Sequence, residues 1–186
     1  MTYCNGETSV IRPNLTSPGA YLILFLDESL ISKTYLDAAE KRGLLPMFYL
    51  ELVSGLRKGE LTALLWSDLD ITNRTISVSK QYVKNPNGEL TLSRPKTETS
   101  VRKVSVPQEA VDLLVAEHKR HPNNPYMFPS PITREMYHPD SIVNLHKKIL
   151  KDTGLPHIRF HDLRHPYVKP KTKKIITFFE VFRAAS

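Results

Sequence analysis

Between Arg74 and Val106 the hydrophobic pattern of the chain changes period. The stretches RTISVSKQY, GELTLSR and VRKVSV alternate apolar with polar residues and carry β-branched side chains, with NPNG and PKTETS between them. A period of two sends successive side chains to opposite faces, which a strand satisfies and a helix does not. The spacing predicts three short strands, paired as an antiparallel meander. On both sides of this block the period is helical. Upstream, Leu30, Ile31, Tyr35, Leu36 and Ala39 share one helical face with Gly43 placed as a C-terminal cap, and PMFYLELVSG makes a second helix between Pro46 and Gly55. Downstream, PQEAVDLLVAEHKR opens at Pro107 and PDSIVNLHKKILKDTG closes at Gly154, while NNPYMFPSPIT reads as a loop with one short strand. The expected fold class is α+β, mainly helical, with a small three-stranded antiparallel sheet.

A chain of 186 residues can enclose one core of useful size but not two. Residues 1–19, MTYCNGETSVIRPNLTSPG, hold no sustained period and read as a leader or linker. Cys4 is the one cysteine, so neither a disulfide framework nor a cysteine metal site can form within the chain, which suits a reducing compartment. The longest apolar run, YLILFL, is far shorter than the ~20 residues needed to span a bilayer, and no signal peptide precedes it. A cytoplasmic protein without a membrane partner is expected. The 26 Lys and Arg against 19 Asp and Glu leave a net charge of +7, spread from Arg57 to Lys174. Such a balance favours a polyanion, nucleic acid first, because releasing condensed counterions drives binding. A merely basic protein is the plainer alternative.

Three places carry candidate chemistry. Arg57 lies between Gly55 and Gly59 where a helix would begin; the positive end of a helix disfavours it slightly, and an anion held there reverses the sign. It could equally be a solvated arginine at a helix junction. Lys96 falls on the turn between the second and third strands, with Arg94, Arg102 and Lys103 close by. Taken alone it is a basic hairpin tip, in water or against a DNA backbone. In HDLRH, a helix beginning near His161 would present His161, Arg164 and His165 to one side, although a helix cap and a paired arginine would use the same residues. The remaining histidines, His118, His121, His138, His146 and His157, show no ligand spacing, so no metal is expected. With no glycine-rich nucleotide loop and no nucleophile elbow, no cofactor is expected either.

Taken in order, GLRKGEL, a lysine on a hairpin turn and HDLRH resemble the catalytic domain of the tyrosine recombinases, the integrases of phages and transposons. LLWSDLD, PKTETSVRKV, MFPS and GLPHIRFHDLRH resemble the family as well, so the likeness runs from about Leu45 through His165. It implies a catalytic domain over residues 20–165, preceded by the end of a linker and followed by a divergent tail over 166–186. It also implies DNA integration and excision through a 3′-phosphotyrosyl link, with double-stranded attachment-site DNA as partner and self-association on that DNA left open. Arg57 and Arg164 would be the two catalytic arginines, Lys96 the hairpin lysine and His161 the histidine, with Lys58, Arg94, Arg102, Lys103 and His165 against DNA. The chemistry suits them: two guanidinium forks hold the non-bridging oxygens of a phosphate, and an ammonium can protonate the leaving 5′ oxygen.

The likeness stops at His165. The family's nucleophilic tyrosine comes on a later helix, behind a further histidine or a tryptophan, and neither is recognisable in PYVKPKTKKIITFFEVFRAAS. Pro166 would cost up to ~3 kcal/mol inside a helix. Tyr167, three residues after Arg164 on the same segment, is badly placed to attack a phosphate held by that arginine. The expectation is a shifted reading frame, in preference to an engineered truncation or divergence, and a chain that binds DNA modestly without cleaving it. The alternative function is a non-enzymatic DNA-binding remnant that acts as a decoy of an intact integrase.

Overall fold

A computed structural model of the chain describes residues 28–93 and 101–164. The upstream helices are α1 (Glu28–Lys41) and α2 (Leu45–Ser54). Pro46 sits in the first turn of α2, where a missing N–H breaks no helical bond. Apolar on nearly all sides, α2 runs through the middle of the core: Met47, Phe48, Tyr49, Leu50 and Leu52 are all buried. It stops at Gly55, whose φ of 61° is a left-handed conformation that glycine reaches without steric cost and whose N–H caps Glu51 O at 2.9 Å.

That reversal buries Leu56 and starts α3 (Lys58–Thr62). A 3-10 turn at Trp66–Asp68 leads to β1 (Leu69–Asp70), β2 (Thr75–Val78), β3 (Gln81–Lys84), β4 (Leu90–Ser93) and β5 (Arg102–Ser105). Two longer helices follow, α4 (Gln108–Arg120) and α5 (Pro139–Thr153), the latter closed by Gly154, and a 3-10 turn over Phe160–Arg164 ends the described chain. α2 packs between α1 and α4, and α5 lies against α1 and α3.

A small three-stranded antiparallel sheet is present, but its members differ from the expected meander. RTISVSKQY is two strands: β2 pairs with β1 and β5, placing Ile76 opposite Leu69 and Val104, while β3 pairs with β4 in a separate hairpin. The break falls at Lys80. Its ammonium reaches the Asp68 carboxylate at 2.7 Å, with side-chain exposures of only 18% and 11%, so the chain turns out of β2 there. The NPNG turn then closes β3 on β4 through the Asn85 N–H to Glu89 O bond of 2.8 Å. The short strand expected near Tyr126 is reduced to isolated bridges, Leu65 to Tyr126 and Pro129 to Met136. The helix expected from His161 is a 3-10 turn as far as Arg164. Residues 1–19, Arg94, Lys96, His165, Tyr167 and the tail over 166–186 lie outside the described residues. No helix among the described residues is long and apolar enough to cross a membrane.

Candidate functional site

Arg57 is the N-cap residue of α3, extended at φ −74° and ψ 150°. Its backbone N–H donates to Glu60 Oε2 at 2.8 Å and its guanidinium to Oε1 at 2.9 Å. From β5, Arg102 grips the same carboxylate with both forks, Nη1 to Oε1 at 2.9 Å and Nη2 to Oε2 at 2.8 Å. Glu60 is buried, 4% exposed. Burial alone would push its carboxyl up, but the hydrogen bonds from Arg102 and from the backbone and side chain of Arg57 outweigh burial and hold it at about 2. One carboxylate therefore fixes two guanidinium groups, and the Arg57 side chain, 59% exposed, keeps donors for something outside the protein. The neighbouring glycine serves packing: a Cβ on Gly59 would stand 2.4 Å from the Tyr82 carbonyl oxygen, so α3 presses directly on β3.

Beside Arg57 opens a cleft of about 510 Å³. Lys58 stands at its α3 side, Val143, His146 and Lys147 of α5 form one wall, and residues 157–161 form the other. In HIRFH the exposed residues His157, Arg159 and His161 alternate with half-buried Ile158 and buried Phe160. His146 explains why that segment holds its face. It is 1% exposed, and its Nε2 lies 2.8 Å from the Ile158 carbonyl oxygen, which only accepts, so Nε2 carries the proton. Nδ1 then accepts the Tyr35 hydroxyl at 2.8 Å. Burial pushes the imidazole down, the Ile158 bond opposes this, and nearby His157 and Lys147 push it further down. The ring is a neutral strut between α1 and the cleft wall. Phe160 packs edge-on against it and against Phe48.

Carboxylates at the rim orient cations rather than cancel them. Asp162 accepts from Arg159 Nε at 2.8 Å and lies 3.0 Å from His161 Nε2, while Asp140 takes Lys58 Nζ at 2.7 Å. The Lys58 hydrogen bond holds the Asp140 carboxyl below its ordinary range. With Arg57, Arg102, Lys58, Lys147 and Arg159 against Glu60, Asp140 and Asp162, the cations are in excess. A concave, positively charged, partly apolar cleft of this kind suits a phosphate group.

Of the residues that the sequence singles out, Arg57, Lys58 and His161 meet at the cleft. Arg102 is turned to Glu60, and Lys103 is exposed on β5. The backbone of Arg164 ends the 3-10 turn next to His161. Lys96, Arg94, His165 and Tyr167 fall outside the described residues. Sequence reasoning missed Lys147, His157, Arg159 and Glu60. A signal existed for the first three: HIRFH alternates basic with apolar residues, and Asp140, Val143 and Lys147 share one face of α5. Glu60 stands three residues after Arg57, but its bond to Arg102 across 42 positions has no local sign.

The profile of the phage integrase family matches residues 29–168. The ICEBs1 integrase of Bacillus subtilis is 32% identical over 159 residues, covering 80% of this chain and 39% of that protein. A tyrosine recombinase XerC-like protein of Caldanaerobacter subterraneus subsp. tengcongensis is 26% identical over 165 residues, covering 77% of this chain and 41% of that protein. The chain thus spans 41% and 39% of the length of these two curated relatives. In fold it is similar to the Tn1549 transposon integrase in complex with transposon right end DNA, at a TM-score of 0.65 and 20% identity, covering 76% of this chain and 51% of that one. It is also similar to XerA recombinase, at a TM-score of 0.63 and 22% identity, covering 86% of this chain and 51% of that one. The profile match takes in every wall of the cleft, from α3 through α5 to the HDLRH turn, and by that match the chain belongs to the phage integrase family.

Proposed function

We propose that this chain is the DNA-binding and phosphate-activating part of an integrase-type site-specific recombinase, acting on duplex attachment-site DNA in the cytoplasm, where copies assemble on the DNA. The observation that carries the reading is Arg57, fixed by Glu60 at the mouth of a basic cleft that His161 also lines. In this reading a backbone phosphate sits between the two. Arg57 donates to a non-bridging oxygen, and because its guanidinium is already held, little side-chain freedom is lost on binding. His161, tethered by Asp162, hydrogen-bonds the phosphate or shares the proton of the attacking hydroxyl. Arg164 brings the second fork, and Lys96 the proton for the leaving 5′ oxygen. In the family chemistry a tyrosine oxygen bonds to phosphorus as the bond to the 5′ oxygen breaks, and the reverse step reseals the strand.

The test is duplex binding followed by fluorescence anisotropy at fixed salt. Arg57→Ala is expected to weaken binding about ten-fold with little change in thermal stability, since Arg102 still holds Glu60. Wild-type affinity in this variant would rule the reading out.

A further inference from the structure

The cleft is longer than one phosphate requires. Asp140, Val143 and Lys147 follow one another along the same face of α5, so the Lys58 to Asp140 pair and Lys147 mark points about 10 Å apart along the helix axis. On the opposite wall, His157 and Arg159 precede the 3-10 turn, and their Cα atoms are at most about 7 Å apart. That is close to the separation of consecutive phosphates on one DNA strand, about 7 Å once the winding of the strand is added to its rise.

We infer that the cleft holds a second anion subsite, formed by Lys147 and Arg159 with His157 beside them, which takes the backbone phosphate next to the one at Arg57. The inference rests on the proposed function of the same cleft. Arg159 spends its Nε–H and one Nη2 proton on Asp162, leaving three of the five guanidinium donors for a ligand. Lys147 is exposed on the facing wall, and among the described residues no carboxylate pairs with it. Asp162 touches both Arg159 and His161, so a single carboxylate sets the spacing between the two subsites. The ligand is a run of two phosphodiesters, and the subsite sets the register of the strand over Arg57.

The experiment measures duplex affinity of the full chain across a salt series, with Arg57→Ala, Lys147→Gln, Arg159→Gln and their pairwise combinations. Each phosphate that the protein ceases to neutralise should flatten the plot of log affinity against log salt by about one. Lys147→Gln and Arg159→Gln are each expected to lower the slope by about one, and their combination by no more, because both hold one phosphate. Lys147→Gln with Arg57→Ala is expected to lower it by about two. Among the described residues the Lys147 side chain makes no hydrogen bond or ion pair, so Lys147→Gln reports binding without a folding complication from them. Wild-type slope in both glutamine variants, while Arg57→Ala lowers it by one, would remove the second subsite and leave the first. A fall of only one in the Lys147→Gln, Arg57→Ala combination would place all the cations on a single phosphate. A fall of two in Lys147→Gln, Arg159→Gln would separate those residues onto different phosphates. Unchanged binding in every variant would sink the inference together with the reading beneath it.

Discussion

Glu60 is the residue on which the site turns. A carboxylate enclosed between two guanidinium groups is stable there only while ionised, because a protonated side chain loses the charge-assisted bonds and leaves both arginines short of a partner. Its carboxyl is held at about 2, below the 4.5 of an unperturbed glutamate. A group whose folded value is depressed contributes stability that is complete above its unfolded value and is lost as pH falls through the folded one. For Glu60 that window runs from about 4.5 down to about 2. A shift of that size corresponds to roughly 3 kcal/mol. Glu60→Gln is therefore expected to be less stable than the parent by about 3 kcal/mol at neutral pH, with the gap closing as the pH approaches 2. Urea unfolding of both proteins at several pH values measures it; a gap constant with pH would show that the loss comes from shape alone. The same variant frees the Arg57 guanidinium, so DNA affinity should fall with it.

At the scale of elements, the contact that sets the site is the approach of α3 to β3. Only a residue without a Cβ lets the Tyr82 carbonyl come this close, so Gly59→Ala must push α3 away from β3. The expected cost is on the order of 1–3 kcal/mol, together with weaker DNA binding, because Arg57 stands two residues away and moves with the helix start. A thermal unfolding curve and an anisotropy titration on one preparation test both halves, and a variant as stable as the parent would contradict the contact. This contact also shows what a sequence conceals. The helices were legible because their signals are local: a 3.6-residue period, Pro46 at one helix start, Gly55 and Gly154 at two ends. Strand partners were not, since β2 finds β5 across the whole hairpin between them, and nothing near Lys80 announces that its ammonium will turn inward to Asp68. At the site, Arg57 and His161 stood out through motif text, whereas Arg159 and Lys147 become notable only once α5 and HIRFH face each other.

For the whole molecule, the distribution of charge decides how DNA is held. The net +7 is a sum over the chain, but the cleft concentrates Arg57, Lys58, Lys147 and Arg159 on one concave surface, where Glu60, Asp140 and Asp162 orient Arg57, Lys58 and Arg159, while Lys147 has no carboxylate partner among the described residues. A site that works by displacing counterions from a few phosphates has a definite signature. With the two phosphates of the cleft engaged, log affinity should fall with log salt at a slope of about −2, a loss of about ten-fold between 50 and 200 mM. A diffuse positive surface would give binding that depends on total charge, so removing any exposed lysine would cost alike. The cleft predicts inequality instead: Lys148→Gln, an exposed residue beside Lys147 that is not among the cleft-lining residues, should leave slope and affinity close to those of the parent, while Lys147→Gln should not. Equal losses from the two neighbours would show that α5 attracts DNA by its overall charge, and that the cleft geometry has no part in choosing which phosphate arrives at Arg57.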